Sequence, residues 1–399
     1  MRLPSFTIRA LALNTAALGG VAAALLALAP VAPAPAEGDA TQAKMPAPPA
    51  SGVMGFVVDT FVPPIVPGMD SCPGGPSLKL REHFLASLPE AERARLSLGE
   101  NDAEMVRRWQ AQAFGPNGTN ICSQPDMFER PLLKTVQSPN GWGLDLDEGA
   151  KDADTCTHEE FTTPAVEPGI DNQEYRALGC KPELRGNDGN GGDQLVGTRQ
   201  FLTSGEWTQV ILLRGVDSLE NDPEVEVIYG NTPDRPMVDS AGKFLPGASF
   251  TISDKAPRHR NVLKGRIERG VLTTQSADIL LAQTWGQGGA RDIRGNRSRF
   301  TFRKGRLRLT FQPDGSLLGM VGGYRPIFEE IQSPALGGVG SATVAGIDCA
   351  GELATLKKLA DGIRDPKTGQ CTAVSGAMRL NAIPAFVNDV RTPAGASAR

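Results

Sequence analysis

Most of the short motifs that announce an activity are missing from this 399-residue chain. There is no CxxC pair and no CxxCH site, so thioredoxin-like redox chemistry, zinc ribbons and covalent haem lack their defining residues. His158-Glu159-Glu160 begins like a HExxH zinc helix, but Thr162 stands where the second histidine is required. No GxSxG elbow occurs, and no SxxK lies in a plausible setting for a serine nucleophile. Aromatic residues make up only 6% of the chain and there are three histidines, His83, His158 and His259. After Val31 no apolar run is long enough to span a bilayer. A basic surplus is absent too, which argues against a nucleic-acid partner.

What is present first is an amino-terminal leader. Arg2 and Arg9 precede an apolar run from Leu11 to Val31, and Ala34-Pro35-Ala36 supplies the small residues that signal peptidase reads. Cleavage there predicts a mature chain beginning at Glu37, periplasmic or secreted, with no transmembrane anchor. Residues 1–36 contain two arginines and no acid, so the mature chain has 39 basic against 45 acidic side chains, a charge of −6. In an oxidising compartment the six cysteines are expected to pair. The long gap between Cys180 and Cys349 makes neighbouring pairs simplest: Cys72 with Cys122, Cys156 with Cys180, and Cys349 with Cys371.

The 46 glycines and 31 prolines suit short strands better than long helices. From Val196 to Ile327, segments rich in Val, Ile, Leu, Phe and Thr alternate with Gly, Pro, Asn and Asp: 209–213, 224–229, 261–267, 278–283, 299–303, 306–312 and 316–321. This spacing predicts a mainly β protein, an antiparallel β-sandwich or jelly roll. Before it, Ser77 and Asn101 or Asp102 are placed to cap two helices, which the 72–122 bridge would clamp into a small cap. Leu353, Leu356 and Leu359 mark a short carboxy-terminal helix. The expected organisation is a signal peptide (1–36), a disordered leader (37–53), a cap region (54–150), a sandwich core (151–332), a disulfide-linked region completing the fold (333–391) and a disordered tail (392–399).

Two charge features stand out. Asp145, Asp147, Glu148, Asp152 and Asp154 crowd a Gly-bounded loop, with Asp171 following; this is not an EF-hand, because Cys156 stands where the closing glutamate belongs. If a cofactor is used, calcium held by Asp145, Asp147 and Asp171 is the one expected, and Asn187-Asp188-Gly189-Asn190 with Asp193 is a weaker second loop. The other feature is RFTFRKGRLRLTF, read as a hairpin turning at Lys304-Gly305. It places Arg299, Arg303, Arg306 and Arg308 on one face, where either an acidic strand carrying Glu224 and Glu226 or an anionic ligand must neutralise them.

Trp142, Trp207 and Trp285 stand in or beside Gly-rich loops and strand ends, where an indole can stack on a sugar ring or fill the core. The expected ligand site combines Trp142 and Trp285 with the four arginines. These observations lead to a non-catalytic binding module for an extracellular carbohydrate or polyanion. The competing expectation is a hydrolase whose carboxylates, for example Glu224, Glu226 and Glu268, meet only in the folded chain.

Overall fold

Alternating side chains give each strand one apolar face, and here those faces converge inside a single ring of strands. The computed structural model describes residues 47–149, 154–186, 191–192, 199, 201–203, 205, 207–245, 247–252, 260–282, 299–331 and 339–389. The leader with its cleavage site, Asp152, the loop 187–190 with Asp193, His259, Trp285 and the tail after Thr392 lie outside them, and of Arg299 the backbone alone is described.

The strands are β1 (Val53–Val62), β2 (Gln209–Arg214), β3 (Asn221–Asn231), β4 (Ser249–Ile252), β5 (Arg260–Glu268), β6 (Val271–Thr274), β7 (Ala277–Ala282), β8 (Arg299–Phe311), β9 (Leu317–Pro326), β10 (Gly362–Arg364), β11 (Cys371–Pro384) and β12 (Phe386–Asp389). Eight of them, in the order β1-β2-β3-β5-β6-β8-β9-β11, pair antiparallel, and β11 returns to β1. The result is a closed eight-stranded β-barrel, which overturns the expected sandwich or jelly roll. Period-two patterning is the same in both architectures. What separates them is the pairing of β1 with β11, from Phe56↔Pro384 to Val62↔Arg379, between segments more than three hundred residues apart. Such closure removes the open sheet edges that a sandwich must protect.

The interior is filled. Phe56, Ile211, Val227, Leu263, Leu309, Val321 and Leu380 contribute from seven different strands to one buried cluster. At eight strands a barrel is just wide enough for its own side chains. Phe61, Trp207, Phe300 and Phe302 form an aromatic group with centroids 5.1 to 5.6 Å apart, so Trp207 is a core residue. Nearby, the Arg325 guanidinium lies 3.5 Å from the centre of the Phe300 ring and pairs with Glu174 and Glu330. Burial raises the Glu174 carboxyl above the usual carboxylate range, against the pull of Arg325.

The segment read as a hairpin is the single bent strand β8. Both of its halves pair with β9, while β6 and β7 follow one another along its other side. Lys304 has φ +49°, and the register steps from Arg303↔Tyr324 to Arg306↔Gly322, so one extra residue bulges there. A bulge inverts the alternation just as a turn would. Phe300 and Phe302 before it and Leu307, Leu309 and Phe311 after it therefore all point inward.

Outside the barrel, the parallel pair β4 and β12 covers Val57, Val210 and Leu212 with Phe250, Ile252 and Val387. The cap contains three helices, not two: α1 (Leu80–Ala86), α2 (Glu90–Leu96) and α3 (Asp102–Gln110). Ser77 and Asn101 make no side-chain cap; the Ser77 hydroxyl donates to the Lys134 carbonyl at 3.1 Å. Further along are α4 (Gln173–Leu178), α5 (Pro182–Arg185), α6 (Val339–Thr343) and the expected carboxy-terminal helix α7 (Cys349–Lys358).

All six cysteines are oxidised, but the neighbouring pairs expected from spacing are not formed. The bridges are Cys72–Cys180, Cys122–Cys349 and Cys156–Cys371, across separations of 108, 227 and 215 residues. Barrel closure is the reason: it brings the carboxy-terminal strands beside the amino-terminal half of the chain. Linear spacing carries no trace of that. The three disulfides, and the absence among the described residues of a helix long and apolar enough to cross a membrane, are consistent with an extracytoplasmic location.

Loops of this length make each bridge worth about 5 kcal/mol in the loop-entropy model, although overlapping loops do not add. Peptide mapping of the non-reduced protein should recover 72–180, 122–349 and 156–371. Recovery of a 72–122 or 349–371 peptide would contradict the topology.

Candidate functional site

The segment Asn140–Leu144 lies against a short antiparallel pairing of Phe161 with Ile170, bridging Asn140 to Thr162 and Leu144 to Asp171. Two glycines allow this approach. A Cβ on Gly141 would lie 2.6 Å from Phe161 Cγ, and one on Gly143 would lie 2.8 Å from the Asp171 carbonyl oxygen and Ile170 Cγ2. Both positions are therefore closed to any larger residue, and the intervening Trp142 is held with its backbone fixed: its carbonyl accepts from Asn172 Nδ2 at 2.6 Å. The indole is half-buried and lines a groove of about 990 Å³.

The floor of that groove is the outer face of the seam that closes the barrel. Two cross-strand rows cover it. Thr60 on β1 faces Asn381 on β11, which faces Leu318 on β9; next to it, Val62 faces Arg379, which faces Met320. Thr60, Asn381, Leu318, Arg379 and Met320 all line the groove. Leu318 is 45% exposed, unusual for a leucine at the centre of a sheet. The walls are Pro64, Ile65 and Pro67 leaving β1, Trp142 opposite, and the β8–β9 turn Gln312–Ser316. Asn381 is steadied by donating to Asp59 Oδ1 at 2.8 Å. Arg379 is exposed and makes no hydrogen bond or ion pair with the described residues.

Three of the acids from the acidic region come together. Asp145, Asp147 and Asp171 each bring a carboxylate oxygen within 4.8 Å of the others. Each of them already accepts at least one hydrogen bond. Asp171 Oδ2 accepts from the Leu146 amide at 2.7 Å, Asp145 Oδ1 from the Glu148 amide at 2.6 Å, and Asp147 Oδ1 from the Gly149 amide at 2.9 Å. Asp171 Oδ1 is taken by His158 Nε2 at 2.6 Å.

His158 joins this loop to the barrel. Its Nδ1 faces the Cys156 carbonyl at 3.0 Å, next to the 156–371 bridge, and lies 3.8 Å from Asp361 Oδ2. With an acceptor at each nitrogen the ring holds two protons. The Asp171 hydrogen bond outweighs burial and pushes its pKa up to about 9. Burial raises Asp361 to about 6, against the pull of Ser375 and His158. Ser375 donates its amide to Asp361 Oδ1 at 2.6 Å, and its Oγ accepts from the Gln173 amide at 2.9 Å. The order is thus serine, aspartate, histidine, aspartate. His158 does not touch Ser375 and cannot serve as its base, and Asp171, Asp361 and Ser375 are all buried.

The arginine face is neutralised from within, by different acids from those expected. Arg303 pairs with Asp278 at 3.1 Å, Arg306 with Glu148 at 2.7 Å, Arg308 with Glu167 at 2.7 Å, and Lys304 with Asp154 at 3.1 Å. Glu226 pairs instead with Arg214 at 3.2 Å, and no ion pair or side-chain hydrogen bond reaches the Glu224 carboxylate. The acidic loop and the basic face, each read as a ligand site, are therefore largely complementary parts of one surface. Of the expected site residues that are described, Trp142 alone lines the groove; His83 lies 3.9 Å from Asp348. The groove residues that sequence reasoning missed are Arg379, Asn381, Leu318 and Met320. Their one visible signal is Arg379, a lone charge in an otherwise uncharged strand.

A histidine raised from 6.5 to about 9 stabilises the fold fully below pH 6.5 and loses that contribution as pH climbs through 9. Allowing for solvent screening, the contribution is on the order of 2 kcal/mol. Wild-type melting temperature should fall between pH 7 and 10. Asp171→Asn should flatten this dependence and lower stability by about 2 to 3 kcal/mol at pH 7, because it removes the carboxylate that holds both His158 and the Leu146 amide. A His158 resonance titrating near 6.5 in the wild type would contradict the assignment.

No family model matches the chain, and neither a curated protein nor a solved structure matches it.

Proposed function

We propose that this protein is a non-catalytic, extracytoplasmic binding module that takes a saccharide ring against Trp142 in the groove over the β1–β11–β9 seam. The observation that carries the reading is the combination found there. A large aromatic is held rigidly by two glycines too crowded to substitute, over a floor on which the apolar Leu318 and Met320 lie, with the planar amides of Asn381 and Gln312 in the same groove. Sugar rings present apolar faces to aromatics and hydroxyls to such groups, and a pre-formed groove reduces the entropic cost of binding. Calcium is not part of this reading.

The hydrolase alternative would draw on His158, Asp171 and Asp361, which do converge. Their burial and mutual hydrogen bonding speak against it, since a reacting group must reach a substrate. The extracytoplasmic half of the proposal rests on the leader together with the oxidised cysteines.

Titration calorimetry with cellohexaose, chitohexaose and hexagalacturonate tests the binding site. At least one should bind, and Trp142→Ala should weaken it by roughly tenfold, the worth of one aromatic contact. Equal affinity in the variant would reject the groove, and release of shorter sugars would turn the reading to the enzyme. Separately, protein recovered from outside the cytoplasm should begin at Glu37; a retained Met1 would refute the export route.

A further inference from the structure

The groove contains a cation whose charge the fold leaves uncompensated. On the barrel strands Arg214, Arg260, Arg266, Arg303, Arg306, Arg308 and Arg325 all pair with acids. Among barrel-strand arginines whose side chains are described, Arg379 alone has none. Its position is not incidental. The register places it at the middle of the groove floor, between Val62 and Met320, on the strand whose next outward residue is Asn381. The acid that lines the same groove, Asp314, is committed elsewhere: its Oδ1 accepts from the Ser316 hydroxyl at 2.7 Å and amide at 2.9 Å.

An exposed guanidinium without an acidic partner, in a groove lined mostly by apolar surface, keeps its donors available to an anion. Guanidinium offers paired N–H donors in a fixed plane, matching a carboxylate and not a hydroxyl.

Resting on the saccharide reading above, we infer that the groove selects a sugar ring bearing a carboxylate, with Arg379 reading the carboxylate and Trp142 the ring. Arg379 is thus the specificity-determining residue. Electrostatic attraction adds to ring stacking only for the acidic ligand, so the two residues have separable effects.

The test is calorimetry of hexagalacturonate and cellohexaose against wild type, Arg379→Gln, Arg379→Lys and Trp142→Ala. Wild type should prefer hexagalacturonate by at least tenfold, with affinity falling as salt rises. Arg379→Gln should remove that preference and leave cellohexaose binding and the melting temperature unchanged, because Arg379 has no partner to lose. Arg379→Lys should restore only part, since it keeps the charge and loses the fork. Trp142→Ala should weaken both sugars. Unchanged hexagalacturonate affinity in Arg379→Gln, with Trp142→Ala still weakening binding, would overturn this inference alone. Binding of neither sugar by wild type, or indifference to Trp142→Ala, would overturn the saccharide reading and this inference with it.

Discussion

Everything else in the structure depends on the pairing of β1 with β11. Without it the same eight strands would form an open sheet with two edges, each with a row of unpaired amides and carbonyls. Joining β1 to β11 removes both edges and creates an interior that the alternating residues of all the strands can fill. It also fixes which distant segments become neighbours. Cys156 meets Cys371, Cys122 meets Cys349, and Asp361 and Ser375 come under the loop that carries His158. The candidate groove is itself a product of closure, because its floor is the seam.

Charge in this protein is arranged locally instead of being left open. The acidic loop beginning at Asp145 and the basic residues of β8 lie far apart in sequence but against one another in the fold, through Glu148 with Arg306 and Asp154 with Lys304. Exposed pairs of this kind contribute at most about 1 kcal/mol each. Their value is to let two regions of strong like charge coexist. The deeper cluster behaves differently: with Asp171 and Asp361 on either side of one imidazolium, the charges are buried and hydrogen-bonded, and loss of the imidazolium would leave two buried carboxylates facing each other.

How much of this was legible in the sequence depends on the range of the interaction concerned. Local patterns translated well. The alternating segments at 209–213, 224–229, 261–267 and 316–321 fall on strands, and Leu353 and Leu356 lie on α7, with Leu359 just past its end. The Gly-rich setting of Trp142 was visible, but Trp207 shared it and is a core residue, so that signal did not separate the two; the loop aspartates do converge. Non-local facts were not legible. Strand alternation is identical in a sandwich and a barrel, a bulge at Lys304 inverts parity as a turn does, and cysteine spacing does not record which strands become neighbours. Arg379 was missed for the same reason: its lack of an acidic partner is a property of the folded surface, invisible until the other described arginines of the barrel strands are seen to have theirs.

The bridge pattern has a consequence for how the chain reaches this state. Cys122 and Cys156 find their partners only when residues 349 and 371 arrive, and β1 finds its second neighbour only with residues 379–384. Until then the nearest thiols are the wrong ones, Cys72 beside Cys122 and Cys156 beside Cys180 in sequence. A topology of such high contact order is slow to fold. Neither the seam nor two of the three bridges can close before residues 349–384 are in place, so a chain interrupted ahead of Cys349 keeps an open sheet and unpartnered thiols at Cys122 and Cys156.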